Sequence, residues 1–387
     1  MGRALVAVRV SVLCAAAFAS ACTDRGGASA SASTARAKAL PTPAHHEADV
    51  GSADAATAPV TEYRASANGE TGLDGAERVP STAKAEGSHP LDGHDQAELE
   101  QWLLEDMSKL GSISLGPPDA GALINGVRMP EGEHWTLVKA NQSWGTQETI
   151  DFITAAVEKV NEQFDDAPPL YIGDISRARG GFFYPHKYHQ NGRDVDLGFY
   201  YSEPRRWYTK VWRGNLDVEK TWALVKALVT ETDVELIYCD RYVIALLKEH
   251  AQAIGEDREW LDQIFRQSSA AHQRPLIRHE DGHRTHIHVR FYNPIAQESG
   301  RRLFSLLEKH EMFRQPIVFA DHVVKRGETL RSIAKLYKTG RAAIRQFNKM
   351  SSDDVVVGKS YRVPYQGELE PLEGPFVAPP RKLPPEQ

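Results

Sequence analysis

Apolar residues recur at intervals of three and four along several stretches of the chain, and each stretch predicts an amphipathic helix. The clearest pattern covers residues 146–164, where Thr146 and Glu148 mark a helix start and Ile150 and Val157 share one face. The other predicted helices cover residues 97–110, 219–232, 241–254, 258–265 and 302–313. Each helix would bury one side against a core.

Four stretches rich in β-branched and aromatic residues predict strands. They cover residues 170–176, 194–201, 234–240 and 286–292. Strands and helices alternate irregularly, and the sequence contains no glycine-rich phosphate-binding loop. We therefore expect an α+β domain rather than a doubly wound nucleotide-binding fold.

A second pattern begins at Asp321, where a strand, two short helices and a closing strand are predicted in succession. Gly327 and Thr329 mark the first helix start, and Ile344 and Phe347 lie on the inner face of the second helix. We expect a small βααβ domain over residues 321–365. The proline-rich, acidic residues 366–387 predict a frayed tail.

The first 21 residues suit a signal peptide, because two arginines precede an apolar run that is too short to span a bilayer. The run ends in Ala19-Ser20-Ala21-Cys22, which resembles a bacterial lipobox and predicts lipidation at Cys22. The alternative is an ordinary signal peptide that is cleaved nearby. Thr23 after the cysteine points to the outer membrane, so we expect an exported, periplasmic, lipid-anchored protein.

Residues 22–98 are rich in small, polar and charged residues and poor in large apolar ones, which predicts a disordered, lipidated tether. The net charge of −6 gives no support to nucleic-acid binding. Of the three cysteines, Cys14 and Cys22 belong to the signal and lipidation segment. No disulfide framework is therefore expected, and Cys239 should be a small core residue.

Two histidine clusters predict a metal site. His189 and Asp196 form the first, while His286 and His288 lie two residues apart in a predicted strand and so project from one face. Zinc takes imidazole and carboxylate ligands, and a catalytic zinc keeps three protein ligands. His189, Asp196 and His288 would supply that set. The alternative is that the strand histidines are ordinary core residues.

The amino-acid sequence around these clusters resembles that of the penicillin-insensitive murein endopeptidases, which belong to the LAS group of zinc peptidases. The shared motifs are Gly-Asp-Ile-Ser-Arg-Ala-Arg-Gly-Gly (173–181), His-Gln-Asn-Gly-Arg-Asp-Val-Asp (189–196) and Gly-His-Arg-Thr-His-Ile-His-Val-Arg (282–290). The resemblance spans roughly residues 99–313. It implies a D-Ala-D-Ala-peptidase-like domain at 99–315, with a central antiparallel sheet flanked by helices.

The resemblance further implies a Zn²⁺ cofactor held by His189, Asp196 and His288, with His286 as the catalytic base. A base on the strand face of a ligand is physically reasonable, because it would lie beside water activated by the metal. His186 and His283 also match histidines of that family. We expect those two to orient other groups or to stabilise the oxyanion.

Other residues are candidates for substrate binding. Asp194 should share the strand face of Asp196 and would orient an imidazole, contact substrate or serve structurally. Arg177 and Arg179 would pair with acidic stem peptides or with the protein's own acids. Aromatic residues after the metal strand would wall a substrate groove or pack in the core. These are Tyr200, Tyr201, Trp207, Tyr208 and Trp212.

Residues 321–365 resemble a LysM module, a small fold that binds glycans containing N-acetylglucosamine. Together the two resemblances imply a zinc endopeptidase that cleaves the D-alanyl to meso-diaminopimelate cross-links of peptidoglycan. One alternative is a zinc D,D- or L,D-carboxypeptidase that trims stem peptides. A second alternative is a non-catalytic lipoprotein that binds the cell wall, although an intact His286 argues against it.

Overall fold

We describe a computed structural model of the chain over residues 88–265 and 274–385. The predicted signal peptide, Cys22 and the tether as far as residue 87 lie outside these ranges. The strands are β1 Ile113–Leu115, β2 Ala122–Ile124, β3 Val127–Arg128, β4 Trp135–Leu137, β5 Trp144–Gly145, β6 Leu170–Ile172, β7 Asp194–Leu197, β8 Val234–Cys239, β9 Ile277–His279, β10 Ile287–Phe291, β11 Ile317–Val323 and β12 Ser360–Gln366.

The helices follow the predicted order. They are α1 Gln96–Glu105, α2 Gln147–Gln163, α3 Val218–Glu231, α4 Arg241–Ala253, α5 Arg258–Phe265, α6 Pro294–Lys309, α7 Leu330–Leu336 and α8 Arg341–Phe347. Helix α6 begins well before its predicted start, at a proline, which is favoured in the first turn of a helix. None of the helices within the described ranges is both long and apolar enough to cross a membrane.

The main sheet has the strand order β4-β6-β7-β10-β8-β9. The three central pairings are antiparallel, whereas β4–β6 and β8–β9 at the two edges are parallel. The mixed α+β class and the antiparallel centre were both predicted, and both are confirmed. The short strands β4 and β9 were not predicted, because three residues carry little periodic signal.

The main core lies between one face of this sheet and helices α2 to α5. Strands β7 and β10 contribute their alternate apolar residues, such as Val195, Leu197 and Val289, to that core. Cys239 at the end of β8 is also fully buried in the core, as predicted. The intervening residues of β7 and β10 are polar and project from the opposite face of the sheet.

A second core joins α1, the β1–β2 hairpin and α6. Leu91 belongs to it and is 2% exposed, so residues just before α1 are part of the folded domain. The predicted tether to residue 98 therefore extends too far, because Leu91 already packs in this core.

The C-terminal domain is the expected βααβ unit. Strands β11 and β12 pair antiparallel, and α7 and α8 pack on them through Ile333 and Ile344. Thr329 caps α7 in a capping box with Ser332, which explains why the helix start was visible in the sequence.

The tail after β12 is not frayed, and that prediction is wrong. Leu369 is 3% exposed and inserts into the second core, next to Gly116, where a Cβ would lie 2.3 Å from the leucine side chain. Further along, Phe376 N donates to Glu298, and Arg381 pairs with Asp233 at 2.6 Å. Residues 367–382, which we call the C-terminal strap, therefore run back across the N-terminal domain.

Candidate active site

The pairing of β7 with β10 brings the two predicted clusters together. His288 lies opposite Asp196, and Arg290 lies opposite Asp194, all on the sheet face away from the main core. His189 arrives from the segment before β7 and has a left-handed backbone conformation, with φ of 70°. The side chains of His189, Asp196 and His288 are all buried.

Three ligand atoms of these residues form a nearly equilateral triangle. His189 Nε2 and His288 Nδ1 are 3.1 Å apart, and Asp196 Oδ1 lies 3.2 Å and 3.1 Å from them, respectively. Ligands bound at the usual zinc distances in a tetrahedral site lie about 3.3 Å from one another. The triangle is therefore of a size that would fit a zinc ion.

Outer hydrogen bonds determine which ring nitrogens face inward as acceptors. His189 Nδ1 lies 2.9 Å from the carbonyl oxygen of Ile175, which can only accept, so Nδ1 carries the hydrogen. His288 Nε2 donates in the same way to Asp194 at 2.8 Å. The inward nitrogens then present lone pairs to each other and to Asp196. Three lone pairs that meet in a buried space form a set of ligand atoms that a cation between them would stabilise.

The pKa shifts of the site residues are consistent with binding of a cation. Burial opposes ionisation of Asp196, but His189 and His288 hold its pKa well below the usual value, so it stays an anion. Burial lowers the pKa of His288, but its hydrogen bonds to the carboxylates of Asp194 and Asp196 outweigh burial and raise that pKa to about 8. In the absence of a metal, a proton on His288 Nδ1 would supply the missing positive charge.

His286 lies beside the triangle and not in it. Its Nε2 is 3.8 Å from Asp196 Oδ1, and its Nδ1 is 2.9 Å from Thr285 Oγ1. Burial lowers the pKa of His286 to about 4, so the ring is neutral at pH 7. A neutral imidazole next to a metal centre is able to accept a proton.

His186 and His283 flank this group on different sides. His186 Nε2 is 2.8 Å from Asp174 Oδ2, and its Nδ1 faces Asp196 Oδ2 at 3.8 Å. The ring centroid of His283 is 4.9 Å from that of His286, and its Nδ1 lies 3.1 Å from the Asp281 carbonyl oxygen. All six predicted residues therefore gather around one point.

A second ligand set is also geometrically available. Ligand atoms of His186, His189 and Asp196 lie within 4.8 Å of one another, which would allow a metal. The contacts of His288 to His189 and Asp196 are shorter, and its outer nitrogen is already anchored by Asp194. We therefore favour His288 over His186 as the third ligand.

Asp194 lies on the same face of β7 as Asp196, as its two-residue spacing predicted. Its Oδ1 accepts from His288 Nε2 and from Arg290 Nε, each at 2.8 Å. Burial opposes its ionisation, but Arg290 and His288 hold the pKa of Asp194 below the usual value. The carboxylate is fully buried under the site, so this arrangement supports ligand orientation rather than substrate contact.

The structure corrects the prediction that Tyr200 binds substrate. It is 1% exposed within the main core, which leaves no surface for substrate. The aromatic wall lies further along, where Tyr208 stacks on His286 with ring centroids 5.2 Å apart and remains 54% exposed. The ring centroid of Trp207 lies 6.2 Å from that of His286. Tyr200 follows the core-facing Phe199 beyond the end of β7 at Leu197, where simple strand alternation no longer applies.

Arg177 and Arg179 are both exposed. The Arg177 guanidinium lies 5.2 Å from the centre of the Phe183 ring, near the segment that carries His186. Substrate binding by these two arginines stays a prediction.

Asp174 and Arg290 are two contributors that the sequence analysis did not assign. Arg290 continues the two-residue alternation of His286 and His288, so strand periodicity could have found it. Asp174 lies in the Gly-Asp-Ile-Ser motif, but its contact with His186 depends on the tertiary structure.

Comparisons with known proteins match two parts of the chain to family models. Residues 114–303 match the family model described as penicillin-insensitive murein endopeptidase, and residues 322–364 match the LysM domain. No curated protein matches the chain. The domain that contains residues 114–303 therefore matches the penicillin-insensitive murein endopeptidase family, and a domain that matches LysM follows it.

Proposed function

We propose that the protein is a zinc metallo-endopeptidase that hydrolyses the D-alanyl to meso-diaminopimelate cross-links of peptidoglycan. The observation that carries the proposal is the triangle of inward-facing ligand atoms on His189, Asp196 and His288, with the neutral ring of His286 beside it. The family of the domain supports peptide cross-links as the substrate.

When bound, zinc would supply Lewis acidity, which activates water and polarises the scissile carbonyl. His286 would accept the proton that the attacking water loses and deliver it to the leaving amine. Tyr208 lies over His286 and would limit access of bulk water to that ring. His283 donates through Nδ1, so its Nε2 would accept a hydrogen bond from a substrate amide.

His186 would orient other groups at the centre of the site. The Asp174 carboxylate holds its Nε2 and leaves Nδ1 directed at the centre of the site. No serine acyl-enzyme forms in this scheme. We therefore propose that β-lactams do not inhibit the reaction.

The remaining parts of the chain would deliver the domain to its substrate. We propose that residues 1–21 direct export and that Cys22 carries a lipid in the outer membrane. The tether that follows would let the peptidase reach the wall. The LysM domain would bind N-acetylglucosamine-containing glycan, and attachment at two points raises the effective concentration of enzyme at the wall.

The test is mass spectrometry of muropeptides after purified protein has acted on cross-linked peptidoglycan, with and without a chelator. Chelator-sensitive conversion of dimers into monomers is expected. Release of terminal D-alanine alone would instead identify a carboxypeptidase. An unchanged profile from zinc-loaded protein would favour a wall-binding protein without catalysis.

The role of His286 has its own test. His286→Ala should lose turnover and keep its zinc, while His134→Ala, a change at a surface histidine on the β4 side, should keep both. Loss of zinc from His286→Ala would make His286 a ligand and overturn the assignment.

A further inference from the structure

The segment from Gly180 to His189 carries two histidines of the site, yet it forms neither a helix nor a strand of the sheet. Its shape therefore depends on what packs against it. On the inner side, Phe183 is 1% exposed, and its ring centroid is 4.9 Å from His186 and 6.2 Å from His189. A shift of Phe183 would move both imidazoles.

On the outer side, the same segment is held by the LysM domain. The ring of Phe182 packs edge-on against Phe319 of β11 and Phe347 of α8, with centroids 5.0 Å and 5.4 Å apart. Phe319 and Phe347 also contact each other edge-on at 4.9 Å. We call Phe182, Phe319 and Phe347 the aromatic clamp. Edge-to-face packing at these distances is favourable and directional.

The LysM side of the clamp is itself held in place. The Arg362 guanidinium lies 4.1 Å from the centre of the Phe319 ring, on the side of β12. Where the chain enters the LysM domain, Phe313 packs on Phe304 of α6. Where the chain leaves it, the C-terminal strap inserts Leu369 into the second core. The domain is thus attached to the peptidase domain on both sides of its fold.

A glycan anchor alone requires no contact with the active-site segment and works as well on a flexible linker. We propose that the LysM domain has a second role, in which the aromatic clamp holds the Gly180–His189 segment and so positions His186 and His189. Phe182 is then a positioning residue for the reaction. This inference rests on the proposed peptidase function, because the segment matters only if those histidines act in catalysis.

The test uses the full chain and a synthetic cross-linked peptide without sugar, so that glycan binding by LysM plays no part. Phe182→Ala and Phe347→Ala are compared with Leu336→Ala, which truncates a 63% exposed residue on α7 of the same domain. We expect kcat to fall about 10- to 100-fold in both clamp variants, because small misplacements of reacting groups have effects of that size. KM should change little, and Leu336→Ala should behave like the wild type.

A second readout does not depend on activity. Hydrogen exchange of backbone amides in the Gly180–His189 segment should be faster in both clamp variants, in metal-free as well as zinc-loaded protein. Phe347→Leu should restore much of the protection and of kcat. Phe182→Ala leaves the LysM core of Leu330, Ile333 and Ile344 intact, so its effect cannot come from unfolding of that domain.

Wild-type kcat and unchanged exchange in both clamp variants would overturn the inference. An inactive wild-type protein would instead contradict the proposed function. In that case the exchange experiment would still decide whether the LysM domain holds the segment.

Discussion

Replacing Asp194 with asparagine tests how the protein prepares its metal site. Asp194 Oδ1 accepts from His288 Nε2 and Arg290 Nε, each at 2.8 Å, so it both orients a proposed ligand and neutralises a buried cation. Asparagine keeps the shape and one acceptor oxygen but removes the charge. We therefore expect Asp194→Asn to weaken zinc binding without removing any ligand.

The magnitude follows from these contacts. Loss of a carboxylate that supports a metal-bound histidine costs about 10- to 100-fold in metal affinity, or about 1.4–2.8 kcal/mol. The same change leaves the Arg290 guanidinium without its closest counter-ion, since its other partner, Glu235, is 4.0 Å away. Removal of one partner of a buried pair costs about 3–5 kcal/mol, so the free energy of unfolding should also fall.

The matched control is Arg290→Gln, which disrupts the same ion pair but leaves the hydrogen bond between Asp194 and His288. Zinc affinity is measured by competition with a chromophoric chelator, and stability by urea denaturation of the metal-free proteins. We expect both variants to lose stability and only Asp194→Asn to lose affinity by tenfold or more. The reasoning would be refuted if Asp194→Asn bound zinc as tightly as the wild type, or if both variants lost the same amount of zinc affinity.

Three further predictions concern pH and stability. Hydrogen bonding outweighs burial and raises the pKa of His288 to about 8, so zinc must displace a proton from His288 below that pH. Calorimetry should therefore show that the affinity for zinc falls up to tenfold per pH unit between pH 8 and pH 6. An affinity for zinc that does not depend on pH would contradict this prediction. Burial raises the pKa of Glu148 to about 7 from 4.5, so its contribution to stability is present below pH 4.5 and is lost as pH rises through 7. Glu148 also accepts from Ile295 N and Ala296 N at the start of α6; Glu148→Gln should therefore cost about 2 kcal/mol at pH 5 in urea denaturation, with a deficit that shrinks towards pH 8. Leu369→Ala should lower the free energy of unfolding by about 2–3 kcal/mol, whereas a loose tail would make it neutral.

Much of the secondary structure was readable from the sequence, because amphipathic periodicity is a local property. Helix α2 and the capping box of α7 follow from residues within a few positions of each other. The two-residue spacing of His286 and His288 likewise predicted that they project to the same side, with His288 in β10 and His286 directly before it, and the same alternation applies to Asp194 and Asp196 on β7. The sequence therefore determined which side chains could meet at the site.

The tertiary structure decided how they meet. The 3.1 Å contact between His189 and His288 depends on the pairing of β7 with β10 and on the left-handed turn at His189, and neither leaves a periodic signal. The burial of Tyr200 depends on where the strand ends.

The tail and the clamp show the same limit more clearly. The C-terminal strap is rich in proline and has few apolar residues, so its composition predicts a loose segment, yet Leu369 finds a complementary gap beside Gly116. Phe182 and Phe347 are far apart in the chain, and each is an unremarkable aromatic residue in its own neighbourhood. Their contact exists because two separately encoded domains have matching surfaces, and such a match between surfaces is set by three-dimensional packing rather than by local sequence.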